Sequence, residues 1–381
     1  MPPADKPALG YALPKKKLDS QRMQEFLQYL GDRQTFRSVT PVDLDNPAAL
    51  PNDLDVILHK FTSEMVYARL SKLSAGPPAD EALRGKMARA VARLQALRQL
   101  LENPPPGAVP PALVDPLDVC HILTDRWLSS EALAALAGRW AASHNGQYLF
   151  HSPTTMLFAP EPEDLTSRAA YDAALGRFIR TTVAQSATSD DSAYFLKSRD
   201  ACSTPASHRL SIFRAGAVAD AQPGAWLSEE FTLTAEDDGQ RTLQLGVPHQ
   251  PALLWKAYAV AGAVASIVPR PSVDLASAGS PLAREPILHL DSQRLSRETV
   301  PLDPGVVVAL TPEQQARVEQ TVAYLAAEMG VSLFGVDIVF EEGTDRMFIV
   351  DLNYFPGYGG VDNLFPLLEE QLLHAARDRC T

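Results

Sequence analysis

The sequence has few cysteines and no long apolar run. Its three cysteines, Cys120, Cys202 and Cys380, are widely separated, so neither a disulfide framework nor a zinc site is indicated. Residues 1–17 contain no apolar signal-peptide core, and the longest weakly apolar stretch, residues 257–268, is too short and alanine-rich to span a membrane. We therefore expect a cytoplasmic protein, with access to the nucleus left open.

The sequence also lacks an excess of basic residues. Its 34 Lys and Arg against 46 Asp and Glu give a formal net charge of -12. Nucleic acids and anionic membranes are bound by extended basic surfaces, so neither is expected as a partner. An anionic ligand must instead be bound by local cations that the fold brings together.

The length and composition indicate a globular protein of more than one domain. The chain has 381 residues, of which 46% are hydrophobic and 21% are charged. Alternating strand and helix patterns near the N-terminus predict an α/β unit. Its predicted strands cover residues 11–13, 36–39, 54–59 and 112–115, with helices over 19–30 and 79–101.

A second and a third set of elements follow. The second comprises predicted strands over 148–150, 194–197, 210–213 and 226–231, and helices over 129–143 and 167–183. The third begins with a predicted hairpin, 253–260 and 263–268, around Gly262. Thr311, Pro312 and Gln314 predict a capping-box start for a helix over 313–329, and Gly330 predicts its end.

Two runs near the C-terminus predict a hairpin with a metal site. Residues 334–340 and 347–353 have the alternation of neighbouring strands, so Asp337 and Asp351 are expected to face each other. Asn353, two residues after Asp351, shares its face. Two carboxylates and an amide suit Mg²⁺ holding a nucleotide. The alternative is that the aspartates only end strands in solvent, but an aspartate between Val and Ile seldom lacks a partner.

The sequence around this hairpin carries a family resemblance. Phe-Gly-Val-Asp at 334–337 and Asp-Leu-Asn-Tyr-Phe-Pro-Gly at 351–357 resemble the signature of inositol 1,3,4-trisphosphate 5/6-kinases, also called inositol tetrakisphosphate 1-kinases. These are ATP-grasp enzymes. The resemblance implies an α/β ATP-grasp fold of three domains, residues 1–116, 117–231 and 232–381. ATP would be clamped between the central and C-terminal domains, with the N-terminal domain on the inositol-phosphate side.

Shorter patches follow the order of the same family along most of the chain. They include Leu-Pro-Lys-Lys-Lys at 13–17, His-Lys at 59–60, Asp-Arg at 125–126 and the segment 195–208. The resemblance implies three groups of site residues: for inositol phosphate, Lys16, Lys17, Lys60, His208, Lys256, Asn353 and Gly357; for ATP, Arg126, Lys197, Glu229, Glu230, Ser272, Ser292 and Ser296; for one or two magnesium ions, Asp337, Asp351 and Asn353. Catalysis is expected to involve His208, Lys256 and Asp351.

The sequence departs from the family pattern between Lys197 and His208. The glycine expected there is missing, and residues 202–206 make the loop one residue longer. Because glycine lets the backbone approach phosphate, nucleotide affinity or loop motion is expected to differ. Asp362 stands where the family often has serine, and whether His249 or Gln250 takes a family histidine position is open.

Several candidates also have an ordinary structural explanation. Lys197 and the run Lys15–Lys17 are typical of solvated surface, and the predicted serines are typical of loops. Without the resemblance, His208 is equally explained as a capping or core histidine. These residues occur in the order of the family pattern, which favours the functional interpretation.

The implied function is ATP-dependent phosphorylation of inositol polyphosphates. Candidate reactions are phosphorylation of inositol 1,3,4-trisphosphate at position 5 or 6 and of inositol 3,4,5,6-tetrakisphosphate at position 1. Such transfer requires placement and charge neutralisation rather than covalent chemistry. A carboxylate-amine ligase of the ATP-grasp class and an inactive inositol-phosphate sensor stay open as alternatives. A monomer is expected, with inositol polyphosphate and ATP as its ligands.

Overall fold

The protein is described here by a computed structural model. It describes residues 6–73, 80–104, 109–186, 192–228, 231, 234, 236–247, 253–271, 282, 285–291, 309–341 and 343–379. No described helix combines the length and apolar character needed to cross a membrane.

The N-terminal part forms a parallel four-stranded sheet with helices on both faces. Its strands are β1 (Ala8–Ala12), β2 (Ser38–Pro41), β3 (Val56–His59) and β4 (Ala112–Val114), in the order β2-β1-β3-β4. Its helices are α1 (Lys15–Leu18), α2 (Gln21–Arg33), α3 (Thr62–Leu73) and α4 (Glu81–Glu102). The predicted alternation of strands and helices is confirmed, although the first strand begins at Ala8.

Apolar residues on the two faces of this sheet enter different cores. Leu9 shares a core with Phe26 of α2, whereas Ile57 shares another with Leu97 of α4. Parallel strands covered in this way read as continuous apolar runs. At their carboxyl ends, β1 leads into α1 with its lysines, and β3 leads into Lys60.

The central part is an antiparallel five-stranded sheet. Its strands are β5 (Thr154–Phe158), β6 (Ala193–Ser198), β7 (Arg209–Arg214), β8 (Arg241–Val247) and β11 (Ile287–Asp291), in the order β11-β7-β6-β8-β5. Helix α7 (Arg168–Gln185) shares a core with this sheet, whereas buried apolar residues of α5 (Leu117–Thr124) and α6 (Arg126–Ser143) lie in the core that contains the C-terminal sheet. Since β8 and β11 follow residue 231, this sheet takes strands from both sides of the predicted domain boundary. The three-domain division stays a prediction.

Two predicted strands of the central part are wrong. Residues 148–150 are not a strand; Phe150 is apolar because it is buried in a core. Residues 226–228 and 231, the described part of the predicted strand 226–231, are not a strand either. The Trp226 backbone N–H donates to Asp172, and the indole packs edge-on against Phe213. Leu149, Phe150, Trp226 and Leu227 are buried in the core without sheet pairing, and burial explains their apolar character.

The C-terminal part is an antiparallel four-stranded sheet. Its strands are β9 (Leu253–Val260), β10 (Ala263–Pro271), β12 (Leu333–Phe340) and β13 (Met347–Tyr354), in the order β10-β9-β12-β13. Its helices are α8 (Pro312–Met329) and α9 (Leu364–Asp378). Both predicted hairpins are confirmed. The capping box of Thr311 and Gln314 is present, and Gly330 ends α8 with a left-handed φ of 65°.

Buried polar groups join the N-terminal sheet to the C-terminal sheet. The Asp115 carboxylate accepts hydrogen bonds from the backbone N–H of Ser332 at 2.8 Å and of Leu333 at 2.9 Å. The Tyr354 hydroxyl lies 3.1 Å from the His59 carbonyl oxygen and accepts from the Asp115 N–H at 3.1 Å. The His59 Nε2 lies 2.6 Å from the Asp115 carbonyl oxygen, so the ring donates there. These bonds fix β3 and β4 against β12 and β13.

This junction predicts a pH dependence of stability. Burial lowers the pKa of His59 from 6.5 to about 4. The folded protein therefore disfavours protonated His59. Neutral His59 contributes fully to the free energy of unfolding above about pH 6.5, and this contribution is lost as the pH falls toward 4. At about pH 5 the loss is about 2 kcal/mol. His59→Gln keeps an N–H donor but cannot be protonated in this pH range. Between about pH 7 and pH 5, we expect the free energy of unfolding of this variant to fall by about 2 kcal/mol less than that of the wild type.

Urea denaturation at the two pH values measures this difference. His121→Gln is the control, because His121 is exposed on α5 and should leave the pH dependence unchanged. Equal pH dependence in wild type and His59→Gln would contradict the prediction.

Candidate active site

The hairpin of β12 and β13 places two carboxylates opposite each other. Asp337 and Asp351 are paired in the strand register, which confirms that they face each other. The Asn353 amide nitrogen donates to Asp337 Oδ2 at 3.4 Å. The period of two along β13 therefore brings the third predicted oxygen ligand to the same face.

A lysine of the next strand balances part of this negative charge. Lys256 on β9 is paired with Asp337 in the register, and its Nζ lies 2.7 Å from Asp337 Oδ1. Both side chains are 18% exposed. Burial and the neighbouring Asp351 raise the pKa of Asp337, and Lys256 opposes that shift. Burial lowers the pKa of Lys256, but attraction to Asp337 outweighs it and leaves that pKa raised.

A second lysine reaches the hairpin from the central sheet. Lys197 on β6 has its Nζ 3.4 Å from the carbonyl oxygen of Val350 on β13. Burial lowers its pKa to about 8, although the nearby Asp351 acts in the opposite direction. Lys197 thus carries positive charge into the space between the central and C-terminal sheets.

The oxygen atoms of this hairpin fit a magnesium ion. Two partly buried carboxylates and an amide oxygen are hard ligands, and a close like-charge pair is stabilised by a cation. Within the described ranges, no three His, Cys, Asp or Glu side chains are grouped to hold a metal. A magnesium ion here would therefore use the amide oxygen of Asn353 with Asp337 and Asp351, and complete its coordination with water or phosphate.

A cavity of about 820 Å³ contains most of the predicted inositol-phosphate residues. It is lined by Lys16, Lys17, Lys60, His208 and Gly357. These residues come from α1, the end of β3, the start of β7 and the segment after β13, which are far apart in the sequence. The fold therefore gathers the cations that looked scattered in an acidic chain.

Two of these lysines are anchored on backbone carbonyls beside the hairpin. Lys17 Nζ donates to the Pro356 carbonyl at 2.8 Å, and Lys60 Nζ donates to the Phe355 carbonyl at 2.8 Å. Burial, with Lys60 and Arg22 nearby, lowers the pKa of Lys17 to about 7. Burial also lowers the pKa of Lys60. A bound phosphate would favour the charged form of both groups.

Arg126 holds the loop that carries His208. Its guanidinium donates to the carbonyls of Ser198 at 2.9 Å and Ser207 at 3.0 Å, and also to the carbonyl of Asp200. Burial lowers the pKa of His208, and Arg126 and Lys16 act in the same direction. The contact of Arg126 with ATP therefore remains an expectation from the sequence.

Sequence reasoning missed other residues that line the cavity. Arg22 of α2 donates to the Val361 carbonyl at 2.6 Å and also to the Tyr358 carbonyl. Tyr67 of α3, Lys86 of α4 and Glu236 also line it. Nothing in the pattern of α4 distinguishes Lys86 from an ordinary exposed lysine. The predicted ATP residues Glu229, Glu230, Ser272, Ser292 and Ser296 lie outside the described residues.

Known sequences are similar to the C-terminal part of this chain and, at lower identity, to most of its length. Residues 238–374 match the family model for the inositol 1,3,4-trisphosphate 5/6-kinase ATP-grasp domain. An inositol-tetrakisphosphate 1-kinase of Danio rerio is 23% identical over 94% of this chain and 76% of that protein. Inositol-tetrakisphosphate 1-kinase 3 of Arabidopsis thaliana is 34% identical over 22% of this chain and 24% of that protein.

Solved structures match the fold over nearly the whole chain. The RimK domain ATP-grasp protein of Sphaerobacter thermophilus has a TM-score of 0.51 at 11% identity and covers 97% of this chain and 98% of its own. The macrocyclase MdnC of Microcystis aeruginosa, solved with its precursor peptide MdnA, has a TM-score of 0.51 at 11% identity, over 96% and 98%. At such identities the likeness concerns the fold alone.

The fold is that of ATP-grasp proteins, as predicted. Within that class, residues 238–374 are similar to the inositol 1,3,4-trisphosphate 5/6-kinase ATP-grasp domain, and a relative named inositol-tetrakisphosphate 1-kinase is similar over most of the chain.

The two aspartates of the hairpin should differ in their effect on stability. Asp337→Asn leaves the Lys256 ammonium without its carboxylate, so we expect the free energy of unfolding to fall by about 2 kcal/mol. Asp351 accepts no hydrogen bond from another described side chain. Its replacement by Asn removes repulsion from Asp337 and attraction to Lys197, which oppose each other. Asp351→Asn should therefore change stability by less than about 1 kcal/mol.

Urea denaturation in the presence of EDTA separates these effects from metal binding. Equal destabilisation by the two variants would contradict the prediction, because it would show that loss of the Lys256–Asp337 pair has no separate effect on stability.

Proposed function

We propose that this protein is an ATP-dependent kinase that phosphorylates a hydroxyl group of inositol polyphosphates. The observation that carries the proposal is the cavity lined by Lys16, Lys17, Lys60 and His208 beside the hairpin of Asp337 and Asp351. The relatives named inositol-tetrakisphosphate 1-kinase support the same substrate class. Inositol 1,3,4-trisphosphate, at position 5 or 6, and inositol 3,4,5,6-tetrakisphosphate, at position 1, are the proposed substrates.

The charge of the cavity favours a substrate with several phosphates. A phosphate group carries about -1.5 to -2 charges at neutral pH, so a polyphosphate needs several cations close together. Lys16, Lys17 and Lys60 supply them in a protein of net charge -12. A ligase substrate with one carboxylate would need fewer, which is why the kinase is the proposal that we favour.

The proposed magnesium site would hold ATP against the hairpin. Asp337, Asp351 and the side-chain oxygen of Asn353 would bind the metal, which supplies charge neutralisation for the phosphates of ATP. Lys197 would add a point charge from β6, while Lys256 holds Asp337 in place and is proposed to reach the inositol phosphate. Arg126, Glu229, Glu230, Ser272, Ser292 and Ser296 remain proposed ATP contacts.

Proton movement would use a group on the cavity wall. Burial lowers the pKa of His208, so the imidazole is neutral near neutral pH and a ring nitrogen can accept a hydroxyl proton. Arg126 fixes the loop on which His208 stands. Gly357 has no side chain to keep the sugar ring away from the backbone. Phosphoryl transfer needs little help from a base, so placement and charge should matter more than this proton transfer.

Several finer points remain predictions of this proposal. They are the three domain boundaries, the monomeric state, the lack of nucleic-acid and membrane partners, and a cytoplasmic location with nuclear access left open.

The proposal predicts transfer of labelled γ-phosphate from ATP to inositol 3,4,5,6-tetrakisphosphate or inositol 1,3,4-trisphosphate. Asp351→Ala should lower kcat by about 1000-fold or more, because a metal ligand is lost. Asp345→Ala, in the exposed turn of the same hairpin, should retain wild-type turnover.

The outcomes distinguish the candidate functions. ATP hydrolysis that is stimulated by amino acids or peptides and not by inositol phosphates would support the ligase. Binding of inositol phosphates without any transfer would support the sensor. Near-normal turnover of Asp351→Ala would overturn the metal assignment.

A further inference from the structure

An ion pair at the cavity has no role in the function proposed above. The ammonium of Lys86 on α4 donates to the carboxylate of Glu236, a residue that precedes β8. Both side chains line the cavity that Lys16, Lys17 and Lys60 line. The pair therefore joins the N-terminal part to the central part at the wall of the substrate cavity.

The Lys86 side chain is partly open to solvent and lies close to a second cavity residue. Its side chain is 50% exposed, whereas that of Glu236 is 24% exposed. The Nζ atom lies 5.7 Å from the ring centroid of Tyr67, which also lines the cavity. A lysine has a long flexible stem and a compact charge, so its ammonium can change partners while the stem stays packed.

The partner of Lys86 differs from those of the other anchored lysines. Lys17 and Lys60 donate to neutral backbone carbonyls, which leave their charge available to an anion. Lys86 instead donates to a carboxylate, which cancels its charge and adds a repulsive group to the cavity wall. A phosphate has more negative charge and more acceptor oxygens than a carboxylate, so it competes well for the same ammonium.

We propose that Lys86 is a further substrate-binding residue whose ammonium exchanges from Glu236 to a phosphate of the inositol polyphosphate. An anion without a phosphate within reach of Lys86 leaves the ion pair in place and is repelled by the Glu236 carboxylate. The pair makes affinity depend on the number and placement of phosphates, and so determines specificity. This inference rests on the proposed function, because it assigns the residues to the same substrate class.

Two substitutions with opposite expected effects test this exchange. Lys86→Met should raise about fivefold both the KM for inositol 3,4,5,6-tetrakisphosphate and the Kd for inositol hexakisphosphate, because one charge-assisted bond at a half-exposed site is lost. Glu236→Gln should lower both values about threefold, because the competing carboxylate is gone. The kcat should stay within about twofold in both variants, since neither residue belongs to the hairpin that is proposed to bind the metal.

Matched controls separate local contact from overall charge. Arg84→Met changes the charge of α4 at an exposed position, and Glu131→Gln does so on α6; neither residue lines the cavity. Both controls should leave KM and Kd unchanged. Thermal unfolding of each variant checks that the fold is retained.

The direction of the two shifts decides between exchange and a structural role. If the pair only joined two parts of the chain, both substitutions would break the same contact and shift KM in the same direction. Shifts of KM in the same direction, or no shift, would overturn the proposed exchange. Phosphoryl transfer by the wild type would in that case still support the kinase proposal. A wild-type protein that neither phosphorylates an inositol phosphate nor binds the hexakisphosphate would overturn both proposals.

Discussion

The close approach of Asp337 and Asp351 is the constraint on which the site depends. Two carboxylates in register on neighbouring strands repel each other, and their partial burial makes the repulsion stronger than in water. Lys256 of the same sheet and Lys197 of the central sheet provide the opposing charge. Because Lys197 comes from another sheet, the charge balance of the hairpin requires the central and C-terminal sheets to be packed together. A metal ion bound here would complete a balance that the lysines leave partial.

The segment that follows the hairpin connects this charge balance to the lysine-lined cavity. The carbonyls of Phe355 and Pro356 accept from Lys60 and Lys17, and those of Tyr358 and Val361 accept from Arg22. Four carbonyls within residues 355–361 therefore position three cations that belong to the N-terminal part of the chain. Since this segment begins where β13 ends, the groups that would bind substrate are held in a fixed relation to those that would bind metal. Placement of this kind is what phosphoryl transfer requires.

Local patterns predicted the hairpin well, whereas long-range pairing was not predictable. The alternation around Asp337 and the short turn at Gly343 indicate the hairpin, whereas the pairing of Asp337 with Asp351 also depends on a register shift between Asp337 and Ile338. In contrast, Leu149 and Phe150, and likewise Trp226 and Leu227, are buried without forming a strand, and apolar character alone does not distinguish burial from strand pairing. The addition of β11 to β7 depends on residues far apart in the sequence. Nor does the sequence indicate the Lys86–Glu236 pair, because the two residues are 150 positions apart in the chain.

The loop between Lys197 and His208 shows how a missing glycine can be accommodated. Ser203 takes a left-handed φ of 74°, which glycine adopts at little cost and serine adopts at a cost of about 1 kcal/mol. The Ser63 hydroxyl donates to the Ser203 hydroxyl at 3.0 Å, and the Arg126 guanidinium holds carbonyls at both ends of the loop. These bonds fix the loop in a conformation that its sequence does not favour. The departure from the family pattern therefore replaces backbone freedom with side-chain anchoring, and His208 is held at the cavity by Arg126 rather than by an intrinsically favourable turn.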